Sequence, residues 1–452
     1  MELFKNIKNV YFLGIGGIGM SALARYFKIN GYAVAGYDRT PSPLTKKLIE
    51  EGIPVNYTDF ETSIDSRYLD LDTTLVVYTP AVPKDNQQMN VFIRKGFRLY
   101  KRAEVLGMLS RNGKALCIAG THGKTTITTM LAYLLKNSSL GCNAFLGGIS
   151  VNFGTNLLLD RNSEYIVIEA DEFDRSFLHL EPEIALITAM DADHLDIYGD
   201  ESALKDAFEQ FAEQVRPGGK LFIKKDLKLQ KRSVDGYYAV NEETDCYSDN
   251  LRLANGRYTF DYHGKYGEIK DILLGFPGMV NVENATAAIT VALEAGVTPD
   301  EIRKSLPDFR GIVRRFNICA EGDVTYIDDY AHHPREIEAI LKSVRNMWPE
   351  KKLTVTFQPH LFSRTNDFHR EFADALNMAD EVLLLEIYPA REQPMPGVTS
   401  EIIQKDLKVP SRILSKEELP EYVKLHVNEG IFMTLGAGDI DRFVPVFTEM
   451  FK

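Results

Sequence analysis

The chain has no CxxC pair and no cysteine spacing that would build a metal site. Its four cysteines, Cys117, Cys142, Cys246 and Cys319, stand far apart. They read as isolated buried thiols in a reducing compartment. No apolar run approaches the ~18 residues of a membrane span, and Met1 to Asn6 lacks an apolar signal core. A cytoplasmic protein with no membrane insertion is the expectation. Positive charge is short as well: 52 Lys and Arg face 64 Asp and Glu, for a net charge of −12. That balance argues against nucleic acid as the main partner. Internal repeats and low-complexity tracts are also missing. What is present is ordinary soluble composition, 44% hydrophobic and 26% charged. At 452 residues the chain is too long for one core, so roughly two to four domains are expected.

The most informative stretch is Ala119-Gly120-Thr121-His122-Gly123-Lys124-Thr125-Thr126. An apolar run, Ala115 to Ala119, precedes it and predicts a short buried strand. Helix-compatible sequence from Thr126 to Lys136 follows. Strand, glycine turn and helix together aim backbone N–H groups and a helix N-terminus at an anion. Lys124 adds a mobile positive charge, and Thr125 a hydroxyl suited to Mg²⁺. The common phosphate-loop spacing wants glycine five residues before Gly123, where Ile118 stands, so the loop is a shortened relative of that pattern.

A second glycine turn lies near the start. The predicted strand Asn9 to Leu13 runs into Gly14-Ile15-Gly16-Gly17-Ile18-Gly19 and then a helix. This is GxGxxG between strand and helix, the mark of a Rossmann-like unit that binds a diphosphate. A further strand ends in Asp38, where a ribose-binding acid is placed in such units. Residue types leave NAD, FAD and a nucleotide-sugar open. Arg102 follows another short strand, where it can meet a phosphate or pair with an acid.

The strand predicted over Tyr165 to Ile168 ends in Glu169-Ala170-Asp171-Glu172. Burying carboxylates is costly without a compensating cation, and beside a phosphate loop the economical one is Mg²⁺. The strand Ile184 to Thr188 leads to Asp191-Ala192-Asp193-His194-Leu195-Asp196, where His194 and its acids suit a second metal. The stretch from Lys224 to Lys270 suggests short antiparallel strands. Asn281 and Asn284 fall three apart at the start of an alanine-rich helix. Either amide can pair with an adenine edge or cap the helix, and a cap suits Asn281 better.

Leu306-Pro307-Asp308-Phe309 predicts a linker to another domain. Arg314 and Arg315 follow, able to reach a transferring phosphate or to form a surface charge pair. A strand then ends in Asp328-Asp329-Tyr330-Ala331-His332-His333-Pro334, and the next ends in Gln358-Pro359-His360 with Arg364 close by. Alternating strands and helices predict a doubly wound domain. Asp439 reads as a helix N-cap.

Together these segments resemble the Mur ligase family. The resemblance is carried by Gly14 to Met20, Gly120 to Thr126, Glu169-Ala-Asp-Glu172, Asp193-His-Leu-Asp196, Arg314-Arg-Phe316, Asp328 to Pro334 and Phe357-Gln-Pro-His360. It implies three α/β domains: a Rossmann-like UDP-substrate domain over 1–110, a central phosphate-loop ATPase domain with a mostly parallel sheet over 111–308, and a doubly wound amino-acid domain over 309–452. It implies that ATP and Mg²⁺ drive the joining of L-alanine to the lactyl carboxylate of UDP-N-acetylmuramate through an acyl phosphate. The alternative within the family adds a tripeptide in wall recycling. Arg175-Ser176-Phe177-Leu178 favours alanine.

The resemblance also assigns residues. Gly120, Thr121, His122, Gly123, Lys124, Thr125 and Thr126 would cradle the ATP phosphates. Asn284 would meet the adenine, Asp329 the ribose and Arg315 the γ-phosphate. Thr125 and Glu169 would hold one Mg²⁺ and His194 a second. Gly14, Gly16, Gly17, Gly19 and Asp38 would serve the UDP moiety. Tyr330, His360 and Arg364 would surround the amino acid, with Lys124, Arg315, His360 and Arg364 as the catalytic set. A monomer or homodimer is expected. Two positions depart from the family pattern: Ala189 follows Thr188 where Asn is usual, and Val280 precedes Asn281 where His is usual.

Overall fold

The computed structural model describes residues 4–191, 198, 200–254, 256–390 and 392–452. Three sheets organise them. The first contains β1 (Asn9–Leu13), β2 (Ala33–Tyr37), β3 (Val55–Asn56), β4 (Thr74–Tyr78) and β5 (Leu99–Lys101), in the order β3-β2-β1-β4-β5. All its pairings are parallel. Helix α1 (Ile18–Ile29) follows β1, and α2 (Arg102–Ser110) follows β5. The order reverses between β1 and β4, so a crevice opens at the C-terminal end of β1, where open α/β sheets bind ligands.

The second sheet begins with β6 (Lys114–Ala119), after which α3 (Lys124–Lys136) crosses to β7 (Asn143–Phe145). It continues through β8 (Leu157–Leu158), β9 (Tyr165–Glu169), β10 (Ile184–Ile187), β11 (Lys220–Lys224), β12 (Gly236–Val240), β13 (Cys246–Ala254), β14 (Arg257–Gly264) and β15 (Gly267–Leu273). Their order is β15-β14-β13-β12-β11-β10-β6-β9-β7-β8. Strand β6 lies between β9 and β10, parallel to both. Two of its neighbours' loops therefore flank the phosphate loop. The antiparallel expectation for 224–270 needs correcting at its start, because β12 and β13 extend the parallel ladder from β11.

The third sheet holds β16 (Asn317–Ala320), β17 (Val324–Asp329), β18 (Leu353–Phe357), β19 (Glu381–Leu384), β20 (Ser411–Ile413) and β21 (Gly430–Leu435), ordered β16-β17-β21-β18-β19-β20. Only β16 runs antiparallel.

Contacts divide the chain into two compact units. One is Met1–Asn250 with Asp261–Ile272 and Glu283–Phe309; the other is Leu251–Phe260 with Leu273–Val282 and Arg310–Lys452. The first two sheets share a unit because their apolar faces merge. Val10, Phe27, Ile168, Phe177 and Phe208 belong to one continuous buried cluster. Buried Arg25 on α1 adds a polar tie, bonding Glu51 and the amide of Asn156, which in turn bonds the Ile18 carbonyl.

Asp439 is not the N-cap expected of it. Gly438 holds that position, while the Asp439 carboxylate takes Gln358 and Lys416. Asn281 is not an N-cap either. It lies inside the helix Met279–Ala295, and its Nδ2 donates to the Pro277 carbonyl.

In the second unit Arg314 is a strut, neither a surface charge nor a free phosphate arm. Its Nε bonds Asp328, which is fully buried, at 3.2 Å, and another nitrogen bonds the Gly436 carbonyl at 2.6 Å. Burial pushes the Asp328 carboxyl up, and Arg314 opposes that. Truncating the arginine would leave a buried carboxylate without its cation. We expect Arg314→Ala to cost about 3–5 kcal/mol, read as a lower urea midpoint. An unchanged midpoint would contradict the strut.

Candidate active site

Strand β6 delivers the chain into Gly120, at φ +126°. A Cβ there would lie 2.1 Å from the Thr188 hydroxyl and 2.8 Å from the Ala189 nitrogen, so only glycine lets the loop pass so close to the loop after β10. Gly123, at φ +80°, starts α3, and its missing Cβ leaves room for the Asn284 amide. Cross-loop bonds fix the rest. The Thr121 N–H reaches Ala189, the Asp191 N–H reaches the Thr121 hydroxyl, and the Thr188 hydroxyl donates to the His122 carbonyl. His122 lies 3.2 Å from Asp191. Thr125 stands half-buried on the first turn of α3, and Thr126 is buried. Ala189 takes part here through its backbone, which any residue type supplies.

Lys124 donates to the Gly120 carbonyl at 2.6 Å and to Glu172 at 2.8 Å. Glu172 has no exposed surface. Burial works against the Lys124 charge, but Glu172, Asp171 and Glu169 outweigh it and hold the ammonium above its ordinary value. Burial pushes the Glu172 carboxyl up against the pull of Lys124. The hydroxyl of Tyr198 donates to the Glu172 carbonyl and fixes that end of the turn. Glu169 ends β9 directly opposite Ile118 of β6, one strand from the phosphate loop. Gly147 leaves it room, since a Cβ there would fall within 2.1 Å of its carboxylate. His194 lies outside the described residues. Among the described residues, no three histidine, cysteine or acidic side chains gather as a metal cage. Hard oxygen donors on Thr125 and Glu169 nevertheless suit Mg²⁺, which takes few protein ligands beside phosphates.

The first glycine turn opens a cleft of about 1020 Å³, counting space continuous with solvent. Gly17 and Gly19 at the start of α1 line one side, with Thr79 and Pro80 after β4 beside them; Glu169, Asp171 and Asp174 line the other. Asp38 accepts the Gly16 N–H at 2.7 Å and the Thr40 N–H at 3.2 Å. Its half-buried carboxylate thus also holds the turn closed. Arg102 lies over α1, where a Cβ on Gly19 would be 2.5 Å from its guanidinium.

In the second unit a separate cluster forms beyond β17 and β18. The Arg315 guanidinium lies 5.1 Å from the Tyr330 ring centre, and that of the Arg314 strut lies 5.4 Å from it. Asp329 accepts from the Phe316 and Ala331 N–H groups, and burial raises it to about 6. His332, whose ring is 5.3 Å from Tyr330 and 5.9 Å from His360, is lowered by burial despite Glu336 beside it. His360 stacks on Tyr388. Leu361, at φ +72°, turns the chain into the helix Phe362–Leu376, whose first turn carries Arg364 and is capped by Glu392. Sequence reading missed Glu392, Tyr388 and Lys101, because nothing local marks their distant partners. His332 was visible in its motif without an assigned role.

Three family descriptions match in chain order. Residues 9–114 match "Mur ligase family, catalytic domain", 118–292 "Mur ligase middle domain" and 314–438 "Mur ligase, glutamate ligase domain". The chain belongs to the Mur ligase family. This Mur ligase is 51% identical over 445 residues to the UDP-N-acetylmuramate–L-alanine ligase of Phocaeicola vulgatus, covering 97% of each chain. It superposes on the UDP-N-acetylmuramate-alanine ligase of Thermotoga maritima with a TM-score of 0.83 at 28% identity, covering 98% of each chain. A murein peptide ligase from Psychrobacter arcticus shares the fold, with a TM-score of 0.69 at 22% identity and 98% of each chain covered.

The Lys124–Glu172 pair makes a plain lysine truncation ambiguous for this Mur ligase, because Glu172 would then be buried alone. We expect Lys124→Ala to lose about 3–5 kcal/mol of stability along with ATP turnover. Adding Glu172→Gln should restore most of the stability and none of the turnover. Recovery of turnover in the double variant would contradict a phosphate-binding role for Lys124.

Proposed function

We propose that this Mur ligase joins L-alanine to the lactyl carboxylate of UDP-N-acetylmuramate, converting ATP to ADP and phosphate, as an early step of peptidoglycan precursor synthesis. The supporting observation is the position of Glu169. It lines the cleft at the first glycine turn, yet it pairs in register with the strand that feeds the phosphate loop. A carboxylate delivered from a diphosphate-anchored sugar is thereby directed to the γ-phosphate.

The residues divide the work. The loop Gly120 to Thr126 and the Lys124 ammonium hold the ATP phosphates. Asn284, beside Gly123, meets the adenine. Thr125 and Glu169 would hold Mg²⁺, which when bound neutralises phosphate charge, and His194 is assigned a second ion. Arg315 supplies a further cation for the γ-phosphoryl group, and Asp329 meets the ribose. The lactyl oxygen attacks phosphorus, ADP departs, and an acyl phosphate forms. The alanine amine then attacks the acyl carbon and phosphate leaves. That amine must be neutral. Tyr330, His360 and Arg364 surround the amino acid, where the ammonium gives up its proton. The three segments 1–110, 111–308 and 309–452 serve the UDP substrate, ATP and the amino acid in turn. No helix among the described residues is long and apolar enough to cross a membrane. A cytoplasmic monomer or homodimer completes the reading.

Phosphate release measured with UDP-N-acetylmuramate, ATP and Mg²⁺ across an amino-acid panel tests this. L-Alanine should give the highest kcat/KM. Release with L-alanyl-γ-D-glutamyl-diaminopimelate but not with free alanine would instead identify the recycling reaction.

A further inference from the structure

The cleft at the first glycine turn carries two cations, and the protein already matches both with its own acids. Lys101 Nζ bonds Asp174 at 2.7 Å, and Arg102 lies 3.8 Å from Asp171. The two cations sit side by side where β5 passes into α2, and Arg102 covers the first turn of α1. The two acids come from the single turn that follows β9. All four side chains line the cleft.

The turn holds an unusual shape to present them. Asp174 and Arg175 both lie in the left-handed region, at φ +53° and +55°. Side-chain-bearing residues adopt that conformation rarely, and two in succession more rarely still. Bonds from the Arg175 N–H to Glu172 and from the Phe177 N–H to Asp171 lock it. The Asp171 carboxylate is engaged as well, accepting the Phe173 N–H. Backbone strain of this kind is retained where the surroundings impose it, as at ligand clamps and switches.

The first turn of α1, with its N–H groups and helix dipole, attracts an anion to the same place. A diphosphate diester carries two negative charges, as do Asp171 and Asp174 together. We propose that Asp171 and Asp174 are a built-in substitute for the substrate diphosphate. They keep Lys101 and Arg102 paired in the empty cleft and are displaced when the nucleotide-sugar enters. This rests on the UDP-N-acetylmuramate reading above. The two aspartates are positioning residues that set selectivity. A weak or singly charged anion cannot outcompete two tethered carboxylates, whereas a diphosphate seated on the helix N-terminus can. The internal competition lowers affinity for every anion, so only a ligand with enough charge and contacts to displace both acids binds measurably.

The consequence is a gain of affinity on removing an acid, which loss of a merely structural contact would not give. Titration calorimetry without ATP, on the full chain, reads it with UDP-N-acetylmuramate and with UDP as probes. We expect Asp174→Asn to bind both roughly fivefold or more tightly than the parent chain. Chloride should weaken its binding more steeply, because an exposed cation is open to screening salt. Lys101→Gln should bind both probes more weakly. Asp171→Asn gives a second route to the gain if the strained turn does not tolerate change at Asp174, with thermal unfolding as the folding control. Unchanged or weaker binding in both folded aspartate variants, with a parent chain that binds UDP-N-acetylmuramate, would overturn the proposal and leave the functional reading intact. Tightened UDP binding with no affinity for UDP-N-acetylmuramate in any variant would support the proposal and overturn the reading.

Discussion

Four carboxylates within six residues, Glu169, Asp171, Glu172 and Asp174, lie at the C-terminal end of a buried parallel strand. Such a cluster is stable only if cations meet it, because desolvated like charges repel strongly. The fold supplies them from separate elements. Lys124 comes from the phosphate loop, Arg102 and Lys101 from the junction of β5 and α2. Each of these cations also stands where a substrate phosphate would be held. Under the proposed function, the side chains that neutralise one turn would also bind two anions.

The merged core of the first two sheets gives this arrangement its precision. Gly120 threads between backbone atoms with no room for a methyl group, and Asp38 pins the other turn through Gly16. Rigid loops on rigid strands hold donors in place before the ligand arrives, as phosphoryl transfer requires. In the second unit the same principle appears in Arg314 and Arg315. One arginine is locked against buried Asp328, and left-handed backbone at Arg314, φ +63°, and Phe316, φ +42°, brackets the other.

The glycine turns, the acid-ended strand and the doubly wound third sheet were legible in the sequence because each has a local cause. Gly120 and Gly123 are required by conformation, and the apolar runs by burial. Less legible were the partners of charged side chains, which are set by elements far apart in the chain. Asp38 reads locally as a ribose ligand, and its bonds to the Gly16 and Thr40 N–H groups are not visible in that reading. Arg314 and Arg315 are indistinguishable in sequence and both reach the Tyr330 ring, yet only Arg314 is bonded to buried Asp328. Asp439 reads as a cap because its neighbours resemble a helix start, yet Lys416 and Gln358 claim it. Lys101 and Asp174, which meet across 73 positions, carried no signal at all. His194 was singled out by its flanking acids and lies outside the described residues.

The central claim is that the cleft at the first glycine turn delivers a carboxylate to the γ-phosphate at the second. Isotope transfer tests this most directly. UDP-N-acetylmuramate labelled with ¹⁸O in its lactyl carboxylate is turned over with ATP and L-alanine, and the phosphate released is analysed by mass. An acyl-phosphate route requires one labelled oxygen to move from the carboxylate into the phosphate. Phosphate that carries no label, formed alongside the amide product, would contradict the account.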